Sequence, residues 1–413
     1  MSHFAIVAPP LYSHAVALHA LALEMAQRGH RVTFLTGNVA SLAEQETERV
    51  AFYPLPASVQ QAQRNVQQQS NGNLLRLIAA MSSLTDLLCQ QLPAILQRLA
   101  VDALIVDEME PAGSLVAEAL GLPFISIACA LPVNREPGLP LPVMPFHYAE
   151  DKRALRRFQV SERIYDALMY PHGQTILRHA QRFGLPERRR LDECLSPLAQ
   201  ISQSVPALDF PRRALPDCFH YVGALRYQPP PQVERPPRST PRIFASLGTL
   251  QGHRLRLFQK IARACASVGA EVTIAHCDGL TPAQADSLYA CGATEVVSFV
   301  DQPRYVAEAN LVITHGGLNT VLDALAAATP VLAVPLSFDQ PAVAARLVYN
   351  GLGRRVSRFA RQQTLADEIA QLLGDETLHQ RLATARQQLN DAGGTPRAAT
   401  LIEQAIAGSE SVS

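Results

Sequence analysis

The sequence predicts an α/β protein built from two doubly wound halves of similar size that face each other across a cleft. Three observations lead there. Short apolar, β-rich runs alternate with segments of helical period along most of the chain. The alternation is broken once, by the proline-rich run RYQPPPQVERPPRSTPR from Arg226, which can neither extend a helix nor enter a central sheet and so reads as a linker. His14, Asp107, Thr249, His315 and Asp339 all follow predicted strands, where open parallel sheets gather their ligands. The expected division is residues 1–225, a linker over 226–241, a second unit over 242–395 and a tail over 396–413.

The first unit opens with a strand from Phe4 to Ala8. A helix follows whose Leu18, Leu21, Ala22 and Met25 form one stripe, and Gly29 ends it before a strand from Arg31 to Thr36. Ala103 to Val106 reads as a further parallel strand, Ala112 to Leu120 as a helix, and Gly121-Leu122-Pro123 leads into a strand from Phe124 to Ala128. The stretch from Ser126 to Tyr148 is apolar and proline-rich without a period of 2 or 3.6, and Arg135 and Glu136 are its only charges. It is expected to offer Leu131, Leu139, Leu141, Val143, Met144 and Phe146 to an apolar ligand. In the second unit, Ile243 to Ser246, Val272 to Ala275, Val296 to Phe299, Leu311 to Thr314 and Val331 to Val334 read as strands, and Leu255 to Val268 as a helix. The tail carries a helical run from Ala398 to Ile406.

Composition narrows the partners. The 413 residues are 48% hydrophobic and 17% charged, with 36 basic and 36 acidic side chains, so no global field favours nucleic acid or an acidic polymer. Seven cysteines without any CxxC pair argue against a disulfide framework and against a zinc site, and fit a reducing compartment. MSHFAIVAPP does not read as a leader, and no apolar run approaches the ~20 residues of a membrane span, so the expected location is the cytoplasm.

The densest chemistry lies in FVDQPRYVAEANLVITHGGLNTVLDALAAATPVLAVPLSFDQ, from Phe299 to Gln340. Leu311 to Thr314 is a strand, His315-Gly316-Gly317 breaks it, and Val321, Leu322, Leu325 and Ala328 recur at helical spacing. The first-turn amides of such a helix lack internal partners and sit at the positive end of its dipole, so they attract an anion such as a diphosphate. His315 and the Thr320 hydroxyl are further donors. Asp323, one turn on, is placed to accept hydrogens from ribose hydroxyls. After the next strand, Asp339-Gln340 offers an acceptor and an amide. Each feature has a plainer reading: Gly316-Gly317 suits any phosphate ligand, Phe299 fits a core, Asp339 or Gln340 fits a helix start before Pro341, and Asp107 fits a helix cap.

Taken in order, these residues resemble the donor signature of the family 1 UDP-sugar glycosyltransferases, in which FVPQ, THGGxNS, a later acidic residue and DQ recur. The likeness runs over nearly the full chain and implies the GT-B fold, two Rossmann-like domains facing across a cleft. It implies that Phe299 stacks on uracil, Val300 holds its edge through the backbone, and Gln302 and Asp323 take the ribose. His315, Gly317, Asn319 and Thr320, helped by Thr249, would bind the diphosphate, and Asp339 with Gln340 the hexose. Phe299 and Leu318 stand where many members carry Trp, and Asp323 is a methylene shorter than the usual Glu.

His14 matches the family's general base and Asp107 the carboxylate that orients it, although Ser13 replaces the usual Gly before the histidine. A free histidine titrates near ~6.5, so neutral imidazole is available for base work on a hydroxyl. No Asp-x-Asp appears, so metal-independent transfer with inversion is expected, without a cofactor and with UDP-glucose as co-substrate. The implied acceptor is apolar and hydroxylated, zeaxanthin by the whole-chain likeness, with macrolides, sterols and flavonoids as alternatives and a catalytically silent helper protein as the rival from another class. An acceptor that lives in a bilayer implies peripheral membrane contact, to which Lys152, Arg153, Arg156 and Arg157 would add charge; the same run also reads as a solvated helix face.

Overall fold

The computed structural model describes residues 1–35, 47–70, 72–227 and 240–410. In the first half the order is β1 (His3–Val7), α1 (Tyr12–Gln27), β2 (Arg31–Phe34), β3 (Val50–Phe52), α2 (Ala57–Gln69), α3 (Leu74–Leu99), β4 (Ala103–Asp107), α4 (Ala112–Ala119), β5 (Phe124–Ala128), α5 (Lys152–Arg182), β6 (Gln200–Ser202) and β7 (Phe219–Tyr221). The second half runs β8 (Arg242–Ser246), α6 (Leu255–Ser267), β9 (Glu271–Ala275), α7 (Pro282–Tyr289), β10 (Glu295–Val297), α8 (Gln302–Glu308), β11 (Leu311–Thr314), α9 (Leu318–Ala326), β12 (Val331–Ala333), α10 (Gln340–Tyr349), β13 (Gly353–Arg355), α11 (Gln362–Leu373) and α12 (Glu376–Asp391), and α13 (Gly394–Glu410) closes the chain.

Each half forms one parallel sheet, in the orders β3-β2-β1-β4-β5-β6-β7 and β10-β9-β8-β11-β12-β13. Helices cover both faces, which is why β1, β4, β5 and β11 are continuous apolar runs buried throughout. Strand order reverses between β1 and β4 in one sheet and between β8 and β11 in the other. At these switch points Val7 pairs with Val106 and Ser246 with Thr314. The loops that leave these four strands therefore meet in the cleft, where such folds bind ligands.

The two halves are joined by more than the linker. Leu131, Val205 and Leu208 of the first half belong to the second half's apolar core. Beside them Arg346 on α10 donates to Asp209 at 2.6 Å with both side chains buried, and its guanidinium lies 4.3 Å from the Phe210 ring centroid. Tyr221 and Arg212 also reach Asp209, at 2.7 and 3.3 Å. From the far end of the chain α13 returns to the first half. Its Ala398, Ala399, Ile402 and Ile406 join the core around Leu18, Leu21 and Met25 of α1, and Glu403 accepts from Arg28 at 2.9 Å.

Several sequence expectations need correction. The strand expected over Val296 to Phe299 stops at Val297, which releases Phe299 into a loop. The tail helix begins earlier and ends later than Ala398 to Ile406, because Gly394 starts it by donating its N–H to Val222 O. Of the linker over 226–241, residues 228–239 lie outside the described residues, as does Thr36 of the strand expected from Arg31. The sequence expectations include no helix at α3 and touch α5 only as the solvated face around Lys152. Each contains a proline, Pro93 and Pro171, a residue that ordinarily argues for a break. Both are anchored at the start, α3 by the Asn73 side chain accepting from Leu75 N and α5 by Asp151 accepting from Arg153 N and Ala154 N.

Candidate active site

A single cavity of about 1090 Å³ runs between the two halves and is lined by His14, Thr249, Phe299, Val300, Gln302, His315, Gly317, Asn319, Thr320, Asp323, Asp339 and Gln340. Asp107 stands immediately behind it. β4 ends at Asp107 and α1 starts two residues before His14, so adjacent strand ends bring the two together. His14 Nδ1 donates to Asp107 Oδ2 at 2.7 Å, and Asp107 Oδ1 accepts from Met109 N at 2.9 Å. Asp107 is fully buried, so the carboxylate both shapes its own turn and orients the ring. Burial alone would disfavour a charged His14, but the Asp107 charge and hydrogen bond, with Asp339 adding to them, win and raise its pKa above the ordinary value.

Among the described residues, His14, Asp107 and Cys129 bring one ligand atom each within 4.8 Å of one another. Their chemistry fits a dyad better than a metal centre. The Nδ1 of His14 is committed to Asp107, and burial first, then the Asp107 charge, pushes the Cys129 thiol well above its usual range, so the sulfur stays protonated.

Behind Asp107 two more carboxyls are buried. Glu108 accepts from Val133 N at 3.0 Å, and Glu110 accepts from Ala112 N and from the Thr85 hydroxyl. Burial is the main cause that lifts Glu108 to about 8 and Glu110 to about 7, with Asp107 adding repulsion. In the unfolded chain both titrate near ~4.3. Between these values the folded protein binds more protons than the unfolded one, so stability falls as pH rises from about 5 to about 8. Glu108→Gln is expected to flatten this slope, giving a melting temperature that drops less over that range than the wild type's. An equally steep variant would show that Glu108 is not the source.

Across the cleft, His315 sits in a slot between two glycines. A Cβ at Gly248 would lie 2.6 Å from the ring and one at Gly317 2.5 Å from it, and Gly248 also has φ of +73°. Burial pushes His315 down to about 4 against an opposing hydrogen bond to the Ser246 backbone, so the ring is neutral at physiological pH. It can donate one ring hydrogen to an anion but brings no charge. Phe299 is 61% exposed and lines the cavity, so it is not a core residue. Val300 packs on the core beside it, and Thr249 is exposed at the rim. The helix-start reading holds for the backbone, since α10 begins at Gln340 with Asp339 at its N-cap position and Pro341 in its first turn, but the Asp339 side chain makes no capping hydrogen bond. Burial raises its pKa, and His14 is the first of the groups that oppose this.

Five of the expected ligand-binding residues are already engaged within the protein. Asn319 Nδ2 donates to Ser13 O at 2.9 Å and its Oδ1 accepts from Gln203 Nε2 at 2.9 Å, so this side chain ties the halves together beside His14. Gln340 Oε1 accepts from Leu336 N and Ser337 N, both at 2.9 Å, and so shapes its own loop. The Thr320 hydroxyl lies 3.5 Å from Gln302 Oε1. Asp323 accepts from Gln302 Nε2 at 2.9 Å on one oxygen and from Arg226 Nε at 2.9 Å on the other.

Arg226 also donates to Asn319 O at 3.0 Å. In the sequence Arg226 is only the first residue of the expected linker, and no local signal marks a partner 97 positions away. The apolar acceptor wall is likewise half of what was expected. Leu131, Leu141 and Val143 line the cavity, whereas Leu139, Met144 and Phe146 do not. Phe146 instead stacks on Phe158 and lies 4.9 Å from the guanidinium of Arg157, which stays exposed.

Comparison with known proteins agrees with this geometry. Residues 4–149 match the family described as UDP-glucoronosyl and UDP-glucosyl transferase, and residues 255–396 the glycosyltransferase family 28 C-terminal domain. The chain is 99% identical over 413 residues to the zeaxanthin glucosyltransferase of Pseudescherichia vulneris, covering 100% of both chains. It is 49% identical to the zeaxanthin glucosyltransferase of Pantoea ananas, covering 98% of this chain and 96% of that one. Its backbone follows the crystal structure of the glycotransferase of kitacinnamycin with a TM-score of 0.76 at 21% identity, covering 98% of this chain and 99% of that one. With full-length relatives of this kind and a dyad and a glycine-bound histidine facing each other across two parallel sheets, the chain belongs to the UDP-glycosyltransferases of GT-B fold.

Proposed function

We propose that this enzyme transfers glucose from UDP-glucose to the hydroxyl groups of zeaxanthin, first to a monoglucoside and then to a diglucoside, with inversion at the anomeric carbon. The observation that carries the acceptor is the full-length, 99% identity to a zeaxanthin glucosyltransferase. The cavity supports it, because Leu131, Val133, Leu141 and Val143 give its first-half wall an apolar stretch in the same cavity as His14.

Nδ1 of His14 is held by Asp107, so Nε2 is the basic nitrogen. It takes the proton from the acceptor hydroxyl as that oxygen attacks the anomeric carbon, and Asp107 stabilises the imidazolium that forms. The C–O bond to the diphosphate breaks on the opposite face. The leaving UDP is stabilised by the first-turn N–H groups of α9 and by neutral His315, without a metal. Phe299 offers its exposed face to the uracil. Gln302 and Asp323, held by Arg226, face the ribose, and Asp339 faces the hexose.

Access to a bilayer-resident acceptor fits the outer side of α5, where Val160, Ile164 and Leu168 are exposed at four-residue spacing and Arg153, Arg156 and Arg163 are exposed around them. Among the described residues no helix is long and apolar enough to cross a membrane, so contact of this kind would be peripheral.

The test is a competition of UDP-glucose, UDP-galactose and UDP-glucuronate with zeaxanthin in detergent, with and without EDTA. Preferred glucose transfer that survives EDTA is the expected result. Preference for another sugar overturns the donor, and loss of activity restored by magnesium overturns the metal-free mechanism.

A further inference from the structure

The start of α9 is tied to the residue before His14 through a pair of amide side chains. Asn319, in the first turn of α9, turns its whole amide toward the first half: Nδ2 donates to Ser13 O at 2.9 Å, and Oδ1 accepts from Gln203 Nε2 at 2.9 Å. Gln203 follows β6, where its backbone N–H donates to Ala128 O at 3.3 Å, and its side chain is fully buried. The other hydrogen of Gln203 Nε2 goes to Cys129 O. The Cys129 thiol in turn lies 3.9 Å from His14 O.

The direction of this bridge is fixed by its ends. Ser13 O and Cys129 O are carbonyl oxygens and can only accept, so Asn319 must present its nitrogen to Ser13 and its oxygen to Gln203, and Gln203 must present its nitrogen to both of its partners. Turning either amide over would set oxygen against oxygen. The arrangement leaves Gln203 Oε1 buried without a hydrogen-bond partner among the described residues, which lowers stability. An apolar side chain of the same length would fill this space without stranding an oxygen. The plain role of the contact is to hold the halves together, yet the buried Arg346–Asp209 pair and the shared apolar core already do so elsewhere. Gln203 is also absent from the lining of the cavity that holds His14, so it does not touch a substrate there.

Resting on His14 as the base proposed above, we infer that Gln203 is a positioning residue for glucosyl transfer: through Asn319 it fixes the residue before His14 against the first turn of α9. It thereby sets the distance between the base and the sugar carried by the leaving diphosphate. Transfer needs the acceptor oxygen, held at His14 Nε2, in line with the bond that breaks at α9. The base and α9 belong to different halves, and a misplacement of about 1 Å between such groups costs about a hundredfold in rate. Donor affinity is a separate matter, because the α9 amides and His315 both lie in the second half.

The test measures kcat and KM with UDP-glucose and zeaxanthin, UDP affinity by calorimetry and melting temperature, for the full-length wild type, Gln203→Met, Asn319→Ala and the double variant. Gln203→Met keeps the length of the side chain and removes both donors. It is expected to lower kcat roughly tenfold, less than a full misplacement because Asn319 keeps its bond to Ser13 O, with KM for UDP-glucose and UDP affinity within about twofold of wild type. Asn319→Ala should lower kcat at least as much, and the double variant no further than Asn319→Ala, since the two side chains act in series. Losses that multiply in the double variant, or an unchanged kcat in Gln203→Met, overturn the inference. Weaker UDP binding in Asn319→Ala returns that side chain to the diphosphate and overturns it as well. Should Gln203→Met fail to fold, Gln203→Leu decides by the same readings. His14→Ala measured beside them separates the two proposals: turnover as fast as wild type removes the base and this inference with it, whereas an inactive His14→Ala beside an unchanged Gln203→Met removes the bridge alone.

Discussion

His14→Ala is expected to lower kcat by roughly 10²- to 10⁴-fold, the contribution of a positioned general base, while UDP binding is retained. The donor half does not depend on that ring, because His315 and Asp323 are held by second-half groups and Arg226. The pH dependence has a definite sign. A base works when neutral, so a raised His14 pKa moves the acid limb of the rate profile above ~6.5, and activity climbs as pH rises through that raised value. Asp107→Asn removes the charge that opposes burial. Its limb is expected to move to lower pH while the plateau falls, because the ring loses its orienting acceptor. A limb that stays in place or moves upward in Asp107→Asn would exclude the dyad as the titrating unit. Isothermal calorimetry with UDP on His14→Ala separates lost chemistry from lost binding.

Asp209→Ala is expected to cost about 3–5 kcal/mol of stability, more than any surface change, because it strands the buried Arg346 guanidinium. Arg346 and Arg212 hold the Asp209 carboxyl below the usual range despite its burial, and the Asn350 amide donates to its backbone carbonyl at 3.0 Å. All these contacts except Arg212 and Tyr221 cross from the second half to the first. Loss should therefore appear as a lower urea midpoint and as a weaker coupling of the halves. Pairing Asp209→Ala with Arg346→Met should recover most of the stability, since a buried ion pair replaced by apolar side chains of similar volume is often neutral or better. A single variant as stable as wild type would mean that the contact contributes little.

The alternation of elements was legible because parallel strands buried on both faces must be apolar throughout, as FAIV, ALIV, FISI and LVIT are. The residue types around the donor site were legible for a related reason: a strand, a glycine turn and a helix start are local, and His315 can occupy its slot only between residues without a Cβ. Helices α3 and α5 run through Pro93 and Pro171, a residue type that disfavours a helix interior, and α3 is held by packing against both α2 and α5. Half of the acceptor loop was not legible. An apolar side chain in a loop can face a cavity or a neighbour, and composition does not distinguish Leu141, at the cavity, from Phe146, under Arg157.

By itself the sequence determined the class of fold, most of the strands of its two sheets, and the residue types at the strand ends that make a sugar-nucleotide transferase, since each follows from patterns within a few tens of residues. Only the tertiary structure decided which of these groups are free for a ligand. Asn319 is drawn to Ser13 and Gln203, Gln340 to its own loop, and Asp323 is shared between Gln302 and Arg226. Partners separated by up to 306 positions meet only when two sheets close on each other, and a hydrogen bond is settled by distance in space.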